Sequence, residues 1–147
     1  MNSAISSHIE KMPFECEMLL ARVSLGWPQI FSINLDGSVA SARPFAAIGS
    51  GAYLAHSALI QRGYQSSMAF NEAIYCVYEA KKMSEKNAGV GPDTEIFVVY
   101  QNVFKSVTEE GLAYLGEQYK RLSIQPLEPA PYPQSGLQKV YGFFSEV

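Results

Sequence analysis

The most constraining feature of this chain is an abrupt change of character at Gly49-Ser50-Gly51. There the apolar run Phe45-Ala46-Ala47-Ile48 gives way to the small-residue segment 52–58, AYLAHSA. The run reads as the end of a strand and the segment as the start of a helix. The two glycines permit a sharp turn and close approach of another backbone. Ser50 is placed to cap the helix, whose first N–H groups then face whatever lies above the turn. Two glycines around one residue are a weak signal alone, so the flanking chain must supply the context.

Upstream, residues 16–24 read as a strand with Cys16, Met18 and Leu20 on one face, followed by a turn at Leu25-Gly26-Trp27-Pro28. Residues 29–35 alternate through Phe31, Ile33 and Leu35 as a second strand. Asp36-Gly37 is a hairpin signal, returning through residues 38–42 to a strand over 44–48. Before these, Ser7-His8-Ile9-Glu10 has a capping-box pattern that Pro13 cuts short, like the end of a helix whose beginning is absent.

Downstream, a helix is expected over 52–62 with Leu54, Ala55, Ala58 and Leu59 as its stripe, ended by Gly63. Ser66 or Ser67 should cap a second helix reaching Ser84. Its face Ala69, Ala73, Cys76, Val77 and Ala80 suits close packing, and Phe70, Ile74 and Tyr78 make it apolar over most of its girth. Cover on two sides is therefore expected. Residues 95–100, EIFVVY, read as a buried strand because both faces are apolar. Ser106-Val107-Thr108-Glu109 opens a further helix with Leu112, Leu115, Tyr119 and Leu122 in register. Pro126, Pro129, Pro131 and Pro133 then form a stiff, extended connector. The last stretch carries Val140, Tyr141, Phe143, Phe144 and Val147, too apolar to stay in water, so it should dock on this chain or a partner.

The composition excludes several classes. A net charge of −3 with eleven scattered Lys and Arg does not supply the basic stripe that nucleic acid requires. No run reaches the ~20 apolar residues of a membrane helix, and Glu10, Glu15 and Glu17 interrupt any signal-peptide core. Cys16 and Cys76 lie far apart in apolar runs and read as buried thiols of a reducing, cytoplasmic setting. Two His and two Cys at unsuitable spacings give no metal site, and no cofactor motif is present.

The stretches Ile30-Phe31-Ser32-Ile33-Asn34-Leu35-Asp36-Gly37-Ser38, Phe45-Ala46-Ala47-Ile48-Gly49-Ser50-Gly51, 52–58 and 73–80 together resemble the second half of a proteasome-type N-terminal-nucleophile (Ntn) hydrolase subunit, over about residues 17–101. The resemblance implies an α+β layered fold: an antiparallel sheet with packed helices, half of an αββα sandwich, here with a C-terminal helix and Pro-rich tail. It divides the chain into a half-domain over 1–105 and a helix, connector and docking tail over 106–147. In that family the nucleophile is an N-terminal Thr, Ser or Cys, aided by its own amine, a Lys and an Asp, all in the first half. This chain has no counterpart to that half, so no catalytic residue is assigned. Ser50 matches the serine of the Gly-Ser-Gly turn that hydrogen-bonds near the nucleophile's amine. Asn87 and Val90 fall where the family often has an Asp and, three residues on, a Ser. Asn87 keeps an acceptor and Val90 does not. Gly49, Ser50, Gly51 and Asn87 thus form a supporting or vestigial cleft.

Other constellations are weaker. Cleavage before Cys16 would expose a thiol nucleophile, but a buried structural thiol is favoured. Ser50 and His56 are badly spaced for a Ser-His couple; His56 reads as a surface or inter-helix residue. Glu109-Glu110 and Glu79 with Glu85 read as solvated helix charges. Gly49-Ser50-Gly51 lacks the Lys-Ser/Thr ending of a phosphate cradle, and Pro126-Leu127-Glu128-Pro129 as an SH3-type ligand is less expected than a spacer. Three functions follow: a non-catalytic, proteasome-like assembly or binding module; an Ntn peptidase whose catalytic half is a missing segment or partner chain; or a small-anion-binding module at the Ser50 helix N-terminus. The partners expected are further copies in a homo-oligomer or a partner subunit, and peptide. Nucleic acid and membrane are not expected.

Overall fold

The computed structural model describes residues 16–24, 26–42, 44–100, 103–122 and, for the backbone, 144–146. The N-terminal capping pattern, the proline-rich connector and the rest of the apolar tail lie outside these residues. The fold is α+β. Three strands, β1 (Met18–Ser24), β2 (Trp27–Ile33) and β3 (Val39–Ala42), form an antiparallel meander. Two helices follow, α1 (Ala52–Gln61) and α2 (Phe70–Ser84). A second antiparallel sheet contains β4 (Phe97–Tyr100), β5 (Val103–Val107) and β6 (Phe144–Glu146), with α3 (Glu109–Leu122) between β5 and β6 in the chain.

The hairpin at Asp36-Gly37 forms as expected. Gly37 adopts φ +77 and donates its N–H to Asn34 O at 2.9 Å, while Asp36 Oδ1 accepts from Ser38 N–H at 2.9 Å. The first turn is tighter than the sequence suggests. Ser24 pairs with Trp27, so Trp27 and Pro28 belong to β2 and the connection shrinks to two residues, with Gly26 at φ +80. Helix α1 ends in a Schellman arrangement: Gly63 at φ +62 donates to Ile60 O and Tyr64 N–H to Leu59 O, both at 2.9 Å. These bonds satisfy carbonyls that a helix end otherwise leaves orphaned.

The core lies around α2, which is covered on two sides as expected. Cys76 and Ala80 pack with Ala58 and Leu59 of α1. Ile74, Tyr75 and Tyr78 pack with Ile96, Val107 and Leu115. Leu112, Tyr119 and Leu122 add to this second cluster from the α3 stripe. No side chain of β1, β2 or β3 is buried. The first sheet is therefore held to the described core by little apolar burial.

Several expectations are corrected. Residues 45–48 are not a strand, because Ala47 N–H is taken by the His56 ring instead of a ladder. Helix α2 starts at Phe70, with Ala69 as its uncapped N-cap; Ser66 and Ser67 sit in a turn closed from Met68 N–H to Gln65 O. Val77 faces outward, 42 % exposed. The strand expected to be buried exposes Phe97 and Val99, since helices cover only the face that carries Val98; Tyr100, the last residue of the strand, is exposed as well. Ser106 lies in β5, and Thr108 caps α3 instead, its Oγ1 accepting from Gly111 N–H at 3.2 Å. Cys16 is exposed, whereas Cys76 is buried. Strand β6 pairs its backbone with β5, Ser145 opposite Ser106.

Candidate functional site

The Gly49-Ser50-Gly51 turn is built by backbone conformation. Gly49 takes φ +85, a left-handed value strained for any residue with a Cβ, and its carbonyl accepts from Ala52 N–H at 3.0 Å. Gly51, not Ser50, is the N-cap of α1, with no side-chain cap bond. Ser50 therefore sits one position too early to cap. Its residue is exposed, and its hydroxyl has no hydrogen-bond partner among the described residues.

The loop after α2 is pressed onto this turn. A Cβ on Gly51 would stand 2.7 Å from Ser84 Cβ and 2.8 Å from Val90 Cγ2. Only glycine admits that approach. Asn87, expected near Ser50 on resemblance alone, is brought to it. Its Nδ2 donates to Ser50 O at 2.8 Å, and its Oδ1 accepts from Gly89 N–H at 3.0 Å. Asn87 N–H in turn donates to Ser84 O, and Val90 N–H to Asn87 O, each at 3.0 Å. Gly89 is the residue that sequence reasoning missed. A Cβ there would meet Ser50 Oγ at 2.9 Å, and its position two residues after a turn-forming Asn was the available signal. Ser50, Gly51, Asn87, Gly89 and Val90 thus lie together, with Gly49 beside them in the chain.

A second layer anchors the far end of the loop. Lys81 Nζ donates to Glu85 Oε1 at 2.7 Å and to Gly91 O at 2.8 Å, and Lys82 Nζ reaches Glu85 Oε1 at 2.9 Å. Burial pushes the Glu85 carboxyl upward, but the two lysine donors outweigh it and hold it below the usual carboxylate range. Glu85 is thus not a solvated charge, and neither is Glu79. Glu79 is buried and takes a bidentate contact from Arg62, with Arg62 Nη2 at 2.6 Å from Oε1. The hydrogen bond to Glu79 raises the Arg62 pKa, and the two-point contact makes this pair a structural tie between the helices.

His56 is half-buried and not coupled to Ser50. Its Nε2 accepts from Ala47 N–H at 3.0 Å, and its ring stands edge-on to Phe45 with centroids 5.4 Å apart. It pins the segment before the turn onto α1. Among the described residues no group of His, Cys, Asp and Glu is arranged to hold a metal, and no helix is long and apolar enough to cross a membrane. The cluster offers one exposed hydroxyl on a tightly held turn at the start of a helix.

A family model described as Proteasome subunit matches residues 1–99 of the chain. That span contains the meander, the turn, both following helices and the loop that carries Asn87. No curated protein matches the chain.

Proposed function

Since the chain belongs to the proteasome subunit family, we propose that it acts as a non-catalytic, proteasome-like assembly or binding module, working with further copies or a partner subunit in the cytoplasm. The observation that carries this reading is the occupancy of Asn87. Both ends of its carboxamide are engaged in main-chain bonds, to Ser50 O and from Gly89 N–H. An oxygen already accepting from its own loop is poorly placed to orient a reacting group, and Val90 at the neighbouring position brings a methyl to Gly51. The turn is kept as architecture.

The reading is tested by offering the purified chain a panel of fluorogenic peptides. No turnover above buffer is expected. Turnover that disappears on Ser50→Ala would overturn it. A second reading, an Ntn peptidase completed by a segment or partner chain that carries the nucleophile, is favoured by one observation: the Ser50 hydroxyl is exposed and uncommitted beside the helix start. It predicts that co-expression with such a partner yields cleavage.

A further inference from the structure

In the second sheet β4 is an outer strand, paired on one side only among the described residues. Val107 N–H donates to Ile96 O at 2.9 Å, and the ladder continues with Phe97 opposite Ser106 and Tyr100 opposite Val103. Antiparallel pairs alternate between hydrogen-bonded and non-bonded positions. Ile96, Val98 and Tyr100 therefore direct their main-chain groups to β5, and Phe97 and Val99 direct theirs to the free edge. The side chains of these same two residues are uncovered, Phe97 at 49 % and Val99 at 43 % exposure. On β5, the half-exposed Phe104 lies nearly flat against Phe97, with centroids 5.0 Å apart and planes at 14°. Strand β1 lies near β4 but shares no ladder with it among the described residues. Edge strands are ordinarily blunted by Lys, Pro or a bulge; Phe97-Val98-Val99-Tyr100 has none of these.

We propose that this edge joins β4 of a second copy, antiparallel about a two-fold axis through Val98, so that two three-stranded sheets become one of six strands. The self-pairing follows from the register. Phe97 falls opposite the partner's Val99 and Val99 opposite the partner's Phe97, the two positions whose main-chain groups are free. Each such pair exchanges two N–H to carbonyl bonds, and the uncovered faces of the two copies become continuous beside the stacked Phe97 and Phe104. Charge also favours a second copy. The strand is uncharged, and the flanking Glu95 of each copy lies at opposite ends of the pairing, roughly 20 Å apart at the rise of a strand, so no like charges meet. A closed two-fold contact of this kind uses the same patch on both partners. The proposal deepens the assembly reading and rests on its premise that copies of the chain associate.

Sedimentation velocity on the full chain over about 1–100 µM tests it, with Val99→Pro and Val39→Lys as variants. The Val99 N–H makes no bond within the sheet, so proline there spares the β4–β5 ladder and blocks the edge. Val39, an exposed apolar residue of β3 at 64 % exposure, controls for a general loss of hydrophobic surface. A wild-type dimer is expected, with a dissociation constant at least tenfold weaker in Val99→Pro and unchanged in Val39→Lys. Because Val99→Pro can fail to fold, Val98→Cys in a Cys16→Ser background gives an independent measurement. Mild oxidation should trap a disulfide-linked dimer across the axis, and no trapped dimer overturns the pairing. A wild-type monomer at every concentration also overturns it, and removes self-association from the assembly reading. An oligomer that Val99→Pro leaves intact overturns this edge alone and leaves the assembly reading standing.

Discussion

The Asn87 side-chain amide donates to the Ser50 main-chain carbonyl at 2.8 Å, across 37 positions of sequence. With its second bond, from Gly89 N–H, this single side chain ties the loop after α2 to the turn before α1. Asn87→Ala removes both bonds and should destabilise the fold by about 1–2 kcal/mol. Asn87→Asp keeps the acceptor for Gly89 but loses the donor to Ser50, so it should also destabilise. Urea unfolding of the three proteins checks this, with an unchanged m-value showing that the effect is on stability.

Gly51 and Gly91 make a matched pair for substitution. A methyl on Gly51 collides with Ser84 and Val90, whereas one on Gly91 meets nothing within 4 Å. Gly51→Ala should cost about 1–3 kcal/mol through overpacking, and Gly91→Ala should stay within about 0.5 kcal/mol of wild type. Thermal unfolding separates the two outcomes.

The Arg62–Glu79 pair joins the end of α1 to the buried face of α2. Glu79→Leu leaves Arg62 without its carboxylate. It should cost about 2–3 kcal/mol, below the value for a fully buried pair because Arg62 retains some solvent contact. The double variant Arg62→Met, Glu79→Leu should cost less than the two single changes summed. A double-mutant cycle measures that coupling.

Tyr75 is fully buried, and its hydroxyl has no hydrogen-bond partner among the described residues. Burial raises its pKa above that of a free phenol. A group whose folded pKa is raised contributes its full stability below the unfolded value, near pH 10, and loses it as pH rises toward the folded value. Stability should therefore fall as pH climbs past about 10. Tyr75→Phe should weaken that fall and, by deleting an unpaired buried hydroxyl, be neutral or stabilising by up to about 1 kcal/mol at neutral pH. Denaturation at pH 7 and near pH 10.5 tests both statements.

Local signals in the chain were legible wherever a few adjacent residues set the geometry. Asp36-Gly37 turns the hairpin, Gly63 ends α1 by adopting a left-handed conformation, and the spacing of Leu112, Leu115, Tyr119 and Leu122 gives α3 its packed stripe. The likeness of residues 30–38 and 45–51 to the family lies within the span of the family match, residues 1–99. Periodicity also showed that α2 is apolar nearly all round, and the two clusters on its flanks bear this out.

What the chain left open is which apolar face finds cover. Phe97 and Val98 are equally apolar neighbours, yet Val98 packs against the core and Phe97 faces out, because helices lie on one side of the sheet only. Phe45-Ala46-Ala47-Ile48 looks like a strand, but a strand needs a neighbour, and Ala47 found His56 instead. Glu79 is buried and still partnered because Arg62, seventeen residues earlier, lies within reach once α1 and α2 pack together. Ser50 and Asn87 met only when α2 returned the chain to the turn. Sequence fixes conformations a few residues long, since those depend on φ, ψ and side-chain reach. Burial and pairing depend on what arrives from elsewhere in the chain, and only the tertiary structure decides that.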